Sequence, residues 1–329
     1  MRFGLFGGPS RAMAGDDPAA YQVFIDMVLE AEELGFYGVY LVEHHFTGHG
    51  QLSSSLNLLS HLAARTTTLR LGTAVVVVPW HNPLVLAEQA STVDLLSGGR
   101  LDLGLGRGYR DYEFKGFGIP MEEAQARYDE AVEVIRKAWT CGGRFSHEGP
   151  YWHFDDVVVE PTPVQDPHPP LWTGAGSPES LERAARNGYK LFLDQVGTFE
   201  LTAQRVATYR AAREAAGLPY SPRDVALTRS LRIATSREDR DGLVDRQIAA
   251  LTALAETSRP PEQGGRSLFY SAPEARREVV EAASIIGTPD ECIERLRTLE
   301  AGGVEQVLFT SVMPADIRLF AKEIMPAFQ

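Results

Sequence analysis

Cysteine is nearly missing from this chain: Cys141 and Cys292 stand alone, far apart and outside any CxxC spacing. A disulfide framework and a cysteine-built metal site are therefore not expected. Positive charge is also short, with 32 lysines and arginines against 44 acidic residues and a net charge of -12. Nucleic acid needs a basic face for its phosphates, and an anionic membrane surface asks the same, so neither partner is expected. Long apolar runs are lacking too. The longest uninterrupted β-branched run, Val75 to Val78, cannot span a bilayer. The opening Met1-Arg2-Phe3-Gly4-Leu5-Phe6 is too short in apolar residues for a signal peptide and has no cleavage-like site. A cytoplasmic protein is the expectation.

What is present is a regular alternation. With 44% hydrophobic and 23% charged residues over 329 positions, a large core is affordable. Strands are predicted at Arg2–Phe6, Gly38–His44, Leu69–Val78, Leu101–Gly106, Leu171–Gly174, Lys190–Val196, Val225–Ala234 and Gln306–Val312. Between them run helical patterns, such as Tyr21, Phe24, Val28, Ala31 and Leu34 before a stop at Gly35. The second, third and fourth strands begin near residues 38, 69 and 100, an interval of 31 that suits one strand, one helix and two short loops. Such a repeat leaves an open doubly wound sheet or a closed barrel. Eight strands favour the α/β reading as a (β/α)8 TIM barrel with insertions, a single domain over residues 1–329. One insertion, Cys141 to Pro170, is predicted to carry a hairpin around Tyr151–Val159. The other, Ser258 to Ser284, has the length of an active-site lid or a disordered segment.

Barrels of this kind place their chemistry at the C-terminal ends of the strands. Those positions hold Glu43, His44 and His45, then Thr73 to Val76, then Arg107, Gly108 and Tyr109. Ser177, Ser180, Asp194 and Gln195 follow. A histidine at a barrel mouth can shuttle protons near neutral pH, or merely cap a strand. Two adjacent histidines on a strand face opposite ways, which disfavours a two-histidine metal site unless the strand has already ended. Arg107 lies in a glycine-rich stretch, Gly104 to Gly108, where backbone can approach a ligand and a guanidinium can grip a phosphate. An exposed arginine on a tight turn is the competing reading. The GxGxG spacing on a late strand makes a dinucleotide loop a weak match. Ser177 before Pro178 is a helix-start signal beside Gly174 and Gly176, and free amides there attract anions. By itself it is an ordinary cap; with Arg107 it becomes a candidate two-sided phosphate clamp.

At these positions the chain resembles the bacterial luciferase family, the two-component flavin monooxygenases. The resemblance is carried by Leu41-Val42-Glu43-His44-His45-Phe46-Thr47, Leu71-Gly72-Thr73-Ala74-Val75-Val76 and Ala87-Glu88. It continues through Gly98-Gly99-Arg100-Leu101, Gly106-Arg107-Gly108 and Gly287-Thr288-Pro289-Asp290-Glu291-Cys292-Ile293. The pieces keep the family's order over nearly the whole chain, and the early ones look most like the luciferase α subunit.

The resemblance implies that reduced FMN lies with its ring over Ala74-Val75, a bond that is a non-prolyl cis peptide in relatives. It implies phosphate binding by Arg107, Ser177 and Ser180 beside Gly176, acid–base work by His44, and a water-excluding lid at 258–284. A separate reductase would consume NAD(P)H and deliver the reduced flavin, O2 would be co-substrate, and the chain would pair as a homodimer. No metal is implied. Departures bear on the substrate, a small molecule. Gly106 stands where luciferase has a cysteine, Gly176 where it has an acidic residue, and Leu191-Phe192-Leu193-Asp194-Gln195 ends the sixth strand in polar residues. These argue against a long aldehyde pocket and light emission. Asp194 and Gln195 would suit hydroxyl or carbonyl groups, such as those of a natural-product intermediate. Three rivals stand beside this reading. A deazaflavin-dependent hydride transferase would share the barrel, as would a non-catalytic flavin-binding subunit. A metal hydrolase would need more strand-end histidines than the single cluster seen here.

Overall fold

The computed structural model describes residues 1–48, 50–257, 273–310 and 312–329. Its strands are β1 (Arg2–Gly7), β2 (Gly38–Leu41), β3 (Arg70–Thr73), β4 (Val76–Val77), β5 (Leu101–Gly106), β6 (Phe145–Glu148), β7 (His153–Val157), β8 (Leu171–Gly174), β9 (Lys190–Leu193), β10 (Val225–Ile233), β11 (Ile285–Gly287) and β12 (Gln306–Thr310). Its helices are α1 (Arg11–Ala14), α2 (Asp17–Glu33), α3 (Ser55–Ala63), α4 (Pro83–Leu96), α5 (Asp111–Gly116), α6 (Ala124–Thr140), α7 (Pro178–Arg186), α8 (Phe199–Ala215), α9 (Arg237–Thr257), α10 (Pro273–Ala283), α11 (Pro289–Ala301) and α12 (Pro314–Glu323). The fold is a (β/α)8 barrel. Each of the eight expected strands has its counterpart, the third as the pair β3 and β4.

Contacts group the chain into two compact units. One comprises residues 8–25 and 39–173, the other residues 1–7, 26–38 and 174–329. In the first unit β5 is central: β3 pairs with it through Leu71 and Leu101, β4 through Val76 and Leu105, and β8 through Leu103 and Leu171, all parallel. Burial on both faces explains the continuous apolar runs of these strands. The predicted hairpin is present as the antiparallel pair β6 and β7. Asp94 of α4, fully buried, ties the chain after that hairpin to the sheet. It accepts from the amides of Val164 and Gln165 at 2.8 and 2.9 Å, and the Gln165 amide group continues to Leu101 O at 2.7 Å. After α4, Gly98 and Gly99 turn the chain with φ of 65° and 83°, conformations that side chains disfavour. Arg100 then donates to the carbonyls of Ala63, Thr66, Leu69 and Ser97. The Gly98-Gly99-Arg100 stretch is thus a structural staple for the loop that enters β3.

In the second unit β10 pairs with β9, β11 and β12, and β1 pairs with β12, again all parallel. Phe3, Phe309 and Phe320 pack against one another in its core, with centroids 4.8 to 5.8 Å apart. The Gly287 to Ile293 stretch starts α11: Thr288 caps it and Glu291 bonds back to the Thr288 amide at 2.8 Å, so this family resemblance reports a helix cap. Residues 273–283 of the expected lid are helical, as α10, and residues 258–272 lie outside the described residues. Among the described residues no helix is long and apolar enough to cross a membrane.

A buried polar cluster in the first unit makes a stability prediction. Tyr40 donates to Asp102 at 2.8 Å, and Arg70 reaches the same carboxyl group at 2.6 and 3.2 Å. A Cβ on Gly72 would strike the Tyr40 ring. Gly72→Ala is expected to lower stability by about 1–3 kcal/mol, as overpacking does. Urea denaturation checks it, and an unchanged midpoint would refute the contact.

Candidate active site

β2 ends at Leu41, three residues short of the sequence expectation, so Glu43, His44 and His45 lie beyond it. The opposite-face constraint on adjacent histidines therefore lapses. The two rings engage different carboxyl groups: His44 Nδ1 lies 3.3 Å from Glu113 Oε1, and His45 Nε2 lies 2.8 Å from Glu43 Oε1.

Glu43 is the hub. Its buried Oε1 also meets His81 Nε2 at 2.8 Å, and its Oε2 accepts from the Val77 amide at 2.7 Å. Burial alone would push this carboxyl group upward, but the bonds from His45, His81 and Val77 outweigh it and hold it below its ordinary range. The Val77 bond fixes β4 just after the Ala74–Val75 peptide, which is cis. On the other side, Ala74 N donates to Leu41 O at 2.7 Å, and Thr73 exchanges bonds with Gly104 at 2.8 and 2.9 Å. Ala74 and Val75 are half-buried between the buried Thr73 and Val76, which leaves them a short apolar surface.

Gly106 and Val75 interlock. A Cβ at Gly106 would run into Val75 Cγ2, which explains physically why the cysteine of luciferase has no counterpart here. The next residue, Arg107, is exposed, and its guanidinium has no hydrogen-bond or ion-pair partner among the described residues. That is a cation available to an anionic ligand.

Glu113, on α5, is the member that sequence reading missed. Its Oε1 accepts from the His45 amide at 2.9 Å while facing His44. Because that oxygen is an acceptor, His44 Nδ1 carries the hydrogen and Nε2 is left with a lone pair. Burial pushes His44 below its ordinary value, and the nearby Arg110 adds to this, while the bond to Glu113 opposes it. Arg110 is itself buried, donates to Tyr112 at 2.9 Å, and keeps an Nε without a partner among the described residues. Beside His45 stands an aromatic group: Phe117 stacks on Trp80 at 5.1 Å, and both Phe117 and Phe46 remain exposed. No spacing links Glu113 to His44, 69 residues away. Only the acidic residue shortly after the Gly106-Arg107-Gly108 turn could have hinted at it.

In the other unit, Ser177 N-caps α7 in a reciprocal box with Ser180. The amides of Gly176 and Ser177 reach Ser180 Oγ at 3.2 and 3.1 Å, and the Ser180 amide reaches Ser177 Oγ at 3.3 Å. These amides are thus met by the hydroxyls of the cap itself. Asp194 does not serve as the sequence suggests. Its carboxylate is held by Arg205 at 2.7 Å and by the amides of Val196 and Gly197, so it forms a turn instead of offering a group to a hydroxyl or carbonyl.

A family model described as luciferase-like monooxygenase matches residues 1–306, and the chain belongs to that family. It is therefore an enzyme of the monooxygenase class. The oxygenase component of the flavin-dependent trigonelline monooxygenase of Acinetobacter baylyi is 29% identical over 100% of this chain and 96% of its own length. The crystal structure of the monooxygenase RslO1 from Streptomyces bottropensis is 27% identical, with a TM-score of 0.79 and full coverage of both chains. The coenzyme F420 dependent tetrahydromethanopterin reductase of Methanopyrus kandleri, at 22% identity and a TM-score of 0.77, shares the fold. Two local matches, 35% and 38% identical, span only about half of the Sinorhizobium fredii proteins concerned.

The depressed His44 makes a pH prediction. The ordinary value is 6.5, so the unfolded chain binds a proton that the folded chain resists. The contribution of neutral His44 to stability is full above that value and is lost as pH falls through the lower folded pKa. His44→Gln should flatten this acid loss in denaturation measured from pH 7.5 to 5; an unaltered slope would contradict the assignment.

Proposed function

We propose that this chain is the oxygenase component of a two-component system, using reduced FMN and O2 to oxygenate a small organic molecule such as a natural-product intermediate. The reduced flavin comes from a separate reductase that spends NAD(P)H. The observation that carries the reading is a pair of carboxyl contacts beside the Ala74–Val75 segment: Glu43 ties His45, His81 and Val77 together, and Glu113 meets His44 Nδ1, leaving Nε2 free among the described residues.

Bound reduced FMN would supply the electrons that activate dioxygen. The residues fit such a group. Ala74 and Val75 offer the half-buried apolar surface on which its ring would rest. Arg107, exposed and without a hydrogen-bond or ion-pair partner among the described residues, offers its guanidinium to the phosphate. His44, neutral near physiological pH, accepts a proton at Nε2 while Glu113 holds Nδ1 and stabilises the charge that then develops. Exposed Val85, Leu95 and Leu96 on α4 support pairing of two copies as a homodimer.

The test is reconstitution with reduced FMN and an unrelated flavin reductase, followed by oxygen uptake and product analysis on candidate substrates. His44→Ala should lower kcat by about 10²–10⁴-fold, as loss of a general base does. Unchanged turnover would instead indicate a flavin-binding subunit. Hydride transfer from a reduced deazaflavin without oxygen consumption would replace the FMN reading.

A further inference from the structure

Arg110, the residue just before α5, carries a charge to which the reading above gives no ligand. It is only 2% exposed. Burying a guanidinium is unfavourable unless its five N–H donors find acceptors. Among the described residues only Nη1 makes a hydrogen bond, to Tyr112 Oη at 2.9 Å, and the buried Nε has no partner. The carboxyl oxygen beside it, Glu113 Oε1, stands off at 3.8 Å from Nη1. That oxygen is already engaged by the His45 amide at 2.9 Å and by His44 Nδ1 at 3.3 Å. Glu113 therefore offsets the charge without taking up the donors.

The edge left over is the one that recognises carboxylates. A guanidinium presents Nε–H and one Nη–H side by side, at the spacing of two carboxylate oxygens. This chain uses that edge elsewhere. Arg11 holds Asp17 through Nε and Nη2 at 2.8 Å each, and Arg70 holds Asp102 through the same pair at 3.2 and 2.6 Å. In Arg110 the bond to Tyr112 occupies Nη1 alone, and the Nε–Nη2 edge meets no carboxylate among the described residues.

The same short stretch supplies aromatic faces. The exposed Tyr109 ring lies against the guanidinium, its centre 5.5 Å from Arg110 Cζ. Phe114 packs on Trp80 at 5.4 Å, and Phe117, which stacks on Trp80 at 5.1 Å, keeps part of its ring exposed, as does Phe46 beside it at 5.0 Å. A planar apolar body and an acidic group thus find their complements next to His44, which shares Glu113 Oε1 with Arg110.

We propose that Arg110 is the specificity-determining residue of the substrate site, gripping a carboxylate through its Nε–Nη2 edge, and that the substrate class is an aromatic carboxylic acid. The proposal deepens the oxygenase reading and rests on it. FMN binding to the whole protein is measured first by calorimetry. Benzoate and benzamide, alike in shape and different in charge, are then titrated with FMN present. Wild type binds benzoate about tenfold more tightly, the scale of a charge-assisted hydrogen bond. Arg110→Lys, which keeps the charge and loses the two-donor edge, brings the two ligands within about twofold and leaves FMN binding unchanged. Tyr112→Phe removes only the hydroxyl that holds Nη1; it narrows the same preference and carries the test if Arg110→Lys fails to fold. Wild type without a preference for benzoate, or variants that retain the full preference, overturn the proposal. Weaker FMN binding by Arg110→Lys with the benzoate preference intact assigns the cation to the cofactor and also overturns it. Wild type that binds no FMN in the first titration fails the oxygenase reading itself, and this proposal with it.

Discussion

A single buried carboxyl group organises the strand-end loops of the first unit that carry the candidate site. Glu43 sits where burial opposes ionisation, and its three donors reverse that preference. Each donor comes from a different piece of chain: His45 just beyond β2, Val77 in β4, and His81 ahead of α4. Loops at strand ends are ordinarily the loosest part of a barrel. Here the cost of burying a charge is offset only while all three pieces stay in place, so the hub makes the segments cooperative. The Ala74–Val75 peptide and the backbone at His44 inherit their positions from that arrangement.

Around this hub the division of labour among polar residues is clear. Glu43 holds backbone, whereas Glu113 holds a ring. His45 and His81 serve Glu43, whereas His44 is turned to Glu113 by its Nδ1. Arg110 adds positive charge near the His44 ring, which favours its neutral form. The neighbouring aromatic side chains extend an apolar surface that a small organic substrate can cover.

The barrel was legible because its repeat is local: one strand, one helix, one interval, eight times. Strand ends were less so. β2 and β9 stop three residues before the predicted ends, and the side chains of His44 and Asp194 just beyond them bond to partners that no propensity encodes. His44 and Arg107 could be picked out by residue type and place at a strand end. Glu113 and Arg205 could not, since each acts through a contact distant in sequence and looks like ordinary surface charge when read alone. Asp194 was misread for the same reason. Its polarity is visible in the sequence, but its obligation to Arg205 is not. The glycines fall in between: their positions mark close approaches, while the atoms approached appear only in three dimensions.

The interlock of Gly106 with Val75 constrains how this site can diverge. A side chain added at position 106 alone would meet the Val75 methyl, whereas a smaller residue at position 75 would open room for it. The two positions are therefore coupled, and an engineer reshaping this wall would do better to vary them as one library than to scan them singly.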